Sequence, residues 1–237
     1  MLIEDAAEAI GATFDGQPVG TFGTAGFYSF NGNKVITASS GGIILTKDSE
    51  LAQKCRYLSN QAKDPGMGYI HSETGFNYRL SNILAAIGRA QLTVLDERIA
   101  QRRAIFERYR EGFSDLPELR FLPEPSWGKS TRWLSCFLLE TSKGSSLRDK
   151  LINHLEEHNI ESRPLWKPMH QQKLFTGKPV YGGEISDHLY RNGICLPSSS
   201  HLTPDDQNRV IQIVRDFLQS SEKPHPSPTG ESHPLPA

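Results

Sequence analysis

Between residues 2 and 46 short apolar runs alternate with glycine- and asparagine-rich turns, and this pattern constrains the fold more than any other feature of the chain. Gly26-Phe27-Tyr28-Ser29-Phe30 is an aromatic strand candidate, followed by a turn at Asn31-Gly32-Asn33. Lys34-Val35-Ile36-Thr37 then resumes extended character, and Ser39-Ser40-Gly41-Gly42 turns the chain into a short apolar strand, Ile43-Ile44-Leu45-Thr46. Upstream, Leu2-Ile3 reads as the end of a buried strand entering a short helix over residues 4–9, with a glycine-rich, turn-like stretch from Gly11 to Gly23. A strand of two residues is not an independent beginning, because its neighbours in a sheet are missing. Alternation of short buried strands and turns suits a mixed or parallel sheet with helices on its faces, an α/β class of fold.

The helical signals support that class. Residues 48–59 form a helix with Asp48 as N-cap and with Leu51 and Cys55 on one side. Residues 60–77 carry glycine, proline and few aliphatics and read as a long loop, a kind of segment more often functional than idle. Residues 81–113 contain no proline, and Ile83, Leu84, Ile87, Ala90, Leu95, Ile99 and Phe106 supply an apolar stripe. If continuous, that helix is about 50 Å long and connects two lobes. Pro117 and Pro123-Glu124-Pro125 mark a boundary, after which residues 131–139 look like a strand and 146–158 like a helix. Residues 160–164 are extended and 204–220 form a final amphipathic helix, together a small α+β lobe. The division expected is residues 1–115, 116–220, and a disordered tail over 221–237 rich in proline.

Composition excludes several functions. A net charge of −1 gives no electrostatic case for nucleic acid or an anionic membrane. No apolar run approaches the roughly 18–20 residues that span a bilayer, and the first residues lack the pattern of a secretory signal. Cys55, Cys136 and Cys195 are odd in number, distant in sequence and free of any C-x-x-C pair, so no metal site or disulfide framework is expected and a reducing cytoplasm fits best.

The residues that bear chemistry are weak singly. A lysine after a turn is ordinarily a solvated charge, and acids at the start of a helix ordinarily serve its dipole. In order, however, IEDAAEAIGA, AGFYSFNGNKVITASSGGIILT, GFNYRLSNILAAIGRAQL, NIESRPLWKPMH and GICLPS resemble the DegT/DnrJ/EryC1/StrS family of sugar aminotransferases, from about Leu2 to Phe217. The string ESRPLWKPMH is similar to the branch that aminates UDP-4-keto-6-deoxy-N-acetylhexosamines.

The resemblance implies a pyridoxal 5'-phosphate-dependent transferase of fold type I, like aspartate aminotransferase, with an incomplete large domain and a small α+β C-terminal domain. It implies Lys34 as the residue bound covalently to the cofactor, Asp5 as the carboxylate facing the pyridine nitrogen, and Ser29 as a hydroxyl donor to the phosphate. Asn77 matches a residue that reaches the phosphate from the neighbouring subunit, which implies a homodimer with shared active sites. Glu8 stands where the family commonly has Gln or His near the phenolic oxygen; a carboxylate there repels a phenolate, and a structural glutamate is the alternative. Arg79, Arg163, Trp166 and His170 are the candidates for substrate: arginines to clamp a diphosphate and an aromatic ring to stack on a sugar or uracil. The alternative places Trp166 in the core and His170 facing solvent. The implied activity is amino transfer, with glutamate as donor, to a nucleotide-linked keto sugar in surface polysaccharide or glycan biosynthesis.

Family members carry a substantial portion ahead of the IEDAAEA strand, including a backbone cradle for the phosphate. The chain is therefore expected to be N-terminally truncated, and a non-catalytic remnant that at most dimerises is the competing reading.

Overall fold

The computed structural model describes residues 1–141 and 144–222. The segments that alternate most clearly in the sequence build the first sheet. β1 (Ile3–Asp5) passes through a series of turns into a hairpin of β2 (Thr13–Phe14) and β3 (Gln17–Pro18), and the chain then enters β4 (Ala25–Ser29) and β5 (Gly42–Leu45). β4 is the central strand: it runs parallel to β1, with Asp5 opposite Phe27, and antiparallel to β5, with Ser29 opposite Gly42. The sheet is mixed, in the order β1-β4-β5.

Local chemistry explains where these strands stop. The helix expected over residues 4–9 is replaced by two turns, Ala9 N–H to Ala6 O and Ala12 N–H to Ala9 O, both 2.9 Å. Asp5 accepts from the Ala7 N–H at 3.2 Å, the side-chain turn that short polar residues offer in place of a helix. The β2–β3 hairpin turns on Asp15 (φ 45°) and Gly16 (φ 78°), an Asp-Gly pair with the two left-handed residues that such two-residue turns require. This hairpin lies within the stretch read from sequence as turn alone.

Two closely apposed backbones pack over β4. Gly20 carries φ of +93°, and a Cβ on Gly26 would lie 2.1 Å from the Gly20 carbonyl oxygen, so only glycine fits at Gly26. The Glu4 carboxylate fixes this loop, accepting from Gly20 N–H at 2.7 Å and from Phe22 and Gly23 N–H at 2.6 Å. These bonds, led by the Gly23 amide, hold the Glu4 carboxyl below the usual carboxylate range.

α1 (Ser49–Ser59) begins where expected, with Asp48 accepting from Glu50 and Leu51 N–H. The loop after it is closed by a bridge between Asn60 and Asn77. The single long helix is not formed. α2 (Asn82–Leu92) and α3 (Leu95–Gly112) are separated by a turn at Thr93-Val94. There the Thr93 hydroxyl donates to the Ala90 carbonyl at 2.7 Å, and Val94 N–H bonds Gln91 at 3.2 Å, three residues back rather than four. Two β-branched residues in succession, one of them capturing a backbone carbonyl, are the local cause. The apolar stripe divides accordingly. Leu84, Leu95 and Ile99 pack with Ile10, Phe30, Val35 and Ile36, whereas Ile83 and Ile87 are exposed.

The remaining elements are β6 (Leu119–Phe121), β7 (Gly128–Lys129), β8 (Ser135–Leu139), α4 (Gly144–Glu157), β9 (Arg163–Pro164), α5 (Glu184–Asn192), β10 (Gly193–Leu196) and α6 (Pro204–Glu222). β7 adds to the β2–β3 hairpin, and the other strands form a four-stranded sheet, β6-β8-β10-β9. β8 begins only at Ser135, because Arg132 sits at φ 51° and bends the segment before it. Ser221, read as the start of the tail, belongs to α6; residues 223–237 lie outside those described.

Two compact units partition the chain. The first comprises residues 1–108, 121–135 and 198–202; the second comprises 109–120, 136–197 and the described residues from 203 on. The second has its own core, in which Tyr109, Phe113, Phe137, Leu151 and Val214 are almost wholly buried. Among the described residues, no helix is long and apolar enough to cross a membrane.

Candidate active site

The first unit gathers the residues of interest at one edge of its sheet. β1 and β4 are parallel, and Asp5 and Ser29 are their last residues. Glu8 and Lys34 follow these ends by three and five residues in the sequence. The carboxyl ends of parallel strands are where open α/β sheets bind ligands, since the turns there are free to carry function.

Lys34 does not continue a strand as its neighbours suggest. Residues 34–36 form bends inside a loop that Phe30 closes, its N–H bonding Gly41 O at 2.9 Å and its carbonyl accepting from Ala38 N–H at 2.9 Å and the Thr37 hydroxyl at 3.1 Å. Val35 and Ile36 point into the core and are buried, so the loop is anchored by apolar burial directly after the lysine. Such a loop holds Lys34 more firmly than an exposed turn could.

The amine itself is enclosed. The Lys34 side chain is 9% exposed, and its Nζ lies 2.8 Å from Glu8 Oε1 and 4.2 Å from the centre of the Trp133 ring. Trp133 is held from two directions. Its indole N–H donates to Asn33 O at 2.7 Å, and its carbonyl accepts from the buried Arg102 guanidinium, which also donates to Ser198 O at 3.0 Å. Burial lowers the Arg102 pKa, the penalty of removing a charge from water. The bland expectation for a lysine after a turn thus fails here.

Glu8 is placed by the same observation: its carboxylate accepts from the Lys34 amine at 2.8 Å. The site is also more than the residues that stand out in sequence. Trp133 and Arg102 are absent from that set, because Trp133 lies 100 residues from Asn33 and nothing in the chain's local pattern joins them.

The other candidates are placed as follows. Asp5 is exposed, and Ser29 is half-buried with Oγ accepting from Asn31 N–H at 3.2 Å. Asn77 and Arg79 are exposed on the loop that follows the Asn60–Asn77 bridge, in the first unit. Arg163, Trp166 and His170 belong to the second unit. Arg163 folds back onto Glu161, its Nε donating at 2.8 Å. Trp166 is 59% exposed, which removes the reading of it as core. His170 is not simply solvent-facing: its Nε2 lies 2.7 Å from Asp187 Oδ1, to which Gln171 also donates at 2.6 Å.

An amine, a carboxylate and a hydroxyl at the carboxyl edge of a parallel strand pair are a donor set that suits pyridoxal phosphate, with its aldehyde, ring nitrogen and phosphate. The comparisons agree with that chemistry. The sequence profile of the DegT/DnrJ/EryC1/StrS aminotransferase family matches residues 1–215. The chain belongs to that family. EpsN of Bacillus subtilis, a pyridoxal phosphate-dependent aminotransferase by assignment, is 47% identical over 93% of this chain and 57% of its own length. The GDP-perosamine synthase of Caulobacter vibrioides is 38% identical over 92% of this chain and 59% of its own length. Among solved structures, the aminotransferase TlmJ from Streptoalloteichus hindustanus matches at a TM-score of 0.86 and 27% identity, covering 94% of this chain and 59% of that protein.

The fold is accordingly that of the type I pyridoxal phosphate-dependent transferases, and pyridoxal phosphate is the family's cofactor. The chain spans somewhat more than half the length of the curated relatives it matches.

Proposed function

We propose that this chain provides the lysine-bearing part of a pyridoxal phosphate-dependent aminotransferase site, which moves an amino group from glutamate to a nucleotide-linked keto sugar. The single observation carrying this reading is the enclosed Lys34 amine, held between Glu8 and Trp133 where the parallel strands end. The cofactor, when bound, supplies an electrophilic carbon for the amine and an electron sink for the bond that must break.

The residues of the chain do the rest. Lys34 must lose a proton before it can act as a nucleophile, and until then Glu8 Oε1, 2.8 Å away, holds and orients the amine. Trp133 keeps the amine over one ring face, limiting the orientations it can sample. The Asp5 carboxylate would stabilise a protonated ring nitrogen of the bound cofactor, and the Ser29 hydroxyl would donate to its phosphate. Neither role conflicts with its present bonds, since Asp5 and Ser29 each accept only one local amide.

For substrate, the names of relatives favour a sugar carried on a nucleotide: GDP-perosamine synthase and a dTDP-amino-trideoxyglucose transaminase. Our reading places UDP-4-keto-6-deoxy-N-acetylhexosamine in that role, within surface polysaccharide or glycan biosynthesis. In the second unit Arg163 is assigned to the diphosphate and the exposed Trp166 face to the base or sugar, with His170 held by Asp187; Arg79, in the first unit, is a separate candidate for a phosphate. Exposed Ile83 and Ile87, one turn apart on α2, present an apolar strip that supports a protein partner, here a second copy that contributes Asn77.

The test is to mix the chain with pyridoxal phosphate, reduce with borohydride and map the peptides. A pyridoxyl group fixed on Lys34 and absent from Lys34→Ala supports the proposal. Labelling spread over surface lysines at equal level overturns it. Turnover of candidate UDP-keto sugars with glutamate then examines the substrate separately.

A further inference from the structure

The sequence places Cys136 and Cys195 far apart, but the sheet places them together. Cys136 lies on β8 and Cys195 on β10, which are neighbours in the four-stranded sheet. Their Sγ atoms are 3.3 Å apart, and both residues belong to the second compact unit. We propose that Cys136 and Cys195 are a redox modification site, a dithiol that closes to a disulfide by exchange with a low-molecular-weight disulfide.

The geometry supports closure without rebuilding the sheet. Adjacent strands lie about 4.7–4.9 Å apart, close to the Cα separations of about 4.4–6.8 Å that disulfides span. The sulfurs need to approach by little more than 1 Å to reach a bond of about 2.05 Å, a shift that side-chain rotation can supply. The two sulfurs are also unequally accessible, which orders the chemistry. Cys136 is half-buried and Cys195 is buried, so an oxidant reaches Cys136 first. Hydrogen bonding with Cys136 lowers the Cys195 pKa against the opposing effect of burial, which favours the thiolate needed for the second step.

The exchange balances in two steps. The Cys136 thiolate attacks one sulfur of the small disulfide, forming a mixed disulfide and releasing one small thiolate. The Cys195 thiolate then attacks Cys136 Sγ, forming the protein disulfide and releasing the second small thiolate. The two protons of the protein thiols pass through solvent to the leaving thiolates, and the small disulfide is the species reduced. Cys55 lies in the first unit, on α1, and does not take part.

The experiment treats the whole chain with oxidised glutathione at mildly alkaline pH, quenches with acid, alkylates and maps the peptides. The expected result is one cross-linked pair, Cys136 with Cys195, which dithiothreitol reverses. In Cys195→Ser the reaction should stop with glutathione on Cys136, and Cys55→Ser should leave the cross-link unchanged. The same reaction in urea controls for variants that fail to fold, because it uses the unaltered chain. Native closure should outpace the 136–195 pairing in urea by roughly tenfold or more, as held proximity requires, and urea should give mixed pairings involving Cys55. Equal rates, the same mixture in both conditions, or a native chain that stops at the glutathione adduct would each overturn the proposal.

Discussion

Replacing Glu8 by Gln should make the Lys34 amine more reactive, and the structure allows the size of the effect to be worked out. The Lys34 Nζ to Glu8 Oε1 distance is 2.8 Å, with the lysine side chain 9% exposed and the glutamate 48% exposed. Two unit charges about 4 Å apart attract by about 1 kcal/mol in water and about 4 kcal/mol at an effective dielectric of about 20. Exposed pairs measured by mutation yield about 0.2–1 kcal/mol. Half of this pair is open to solvent, so a value of about 1 kcal/mol is appropriate. That energy holds the Lys34 amine against Glu8 and away from a reagent. Its loss should raise the fraction of amine free of the pair, and hence the reductive methylation rate, by up to about fivefold, because about 1.4 kcal/mol corresponds to tenfold. The assay is isotope-coded methylation followed by peptide mass analysis, with the exposed Lys47 as internal reference. Circular dichroism confirms that the variant keeps its fold. A labelling ratio that is unchanged or reduced in the Gln variant refutes the idea that Glu8 restrains the Lys34 amine. Trp133→Phe retains a ring but weakens the cation–π attraction, and should raise labelling by a smaller factor in the same assay.

Two further outcomes follow from the packing. Gly26→Ala places a methyl group against the Gly20 carbonyl, which an ideal Cβ would approach to 2.1 Å; a loss of about 1–3 kcal/mol in urea unfolding is expected, and an unchanged midpoint would show that the loop over β4 yields freely. Glu124, gripped by both Arg103 nitrogens at 2.7 Å, has a carboxyl lowered from 4.5 to about 2 chiefly by that arginine, so its stabilisation is complete above pH 4.5 and lost as the pH falls towards 2. After allowance for solvent screening this is about 1–2 kcal/mol, and Glu124→Gln should flatten the acid limb of a stability–pH profile; a parallel profile would sink the assignment.

How far these features were legible in the chain depends on the range of the interaction concerned. Asp48 as an N-cap is a matter of four consecutive residues, and the structure shows the two amide bonds that the residue type suggests. The strands around Phe27 and Ile44 follow from short aromatic and β-branched runs between turns. Asp15-Gly16 carries a local hairpin signal too, but the turn-rich composition around it hid two very short strands. The break at Thr93-Val94 is local in mechanism, yet an uninterrupted apolar stripe masks it, since neither residue forbids a helix. The neighbourhood of Lys34 is a harder case: the flanking Val35 and Ile36 look like a strand by composition and become buried bends instead.

Resemblance of ordered motifs was enough to reach the family, because a chain of linked short strings carries information that no single residue does. The identities of Lys34, Asp5 and Ser29 as candidates were therefore determined by the sequence alone. Their surroundings were decided only by the tertiary structure. Trp133 reaches Lys34, Arg102 reaches Trp133, and Cys136 reaches Cys195 across long stretches of chain. The physical reason is one of range: caps, turns and strand runs are set within a few residues, whereas which side chains meet at a site is set by how whole elements pack.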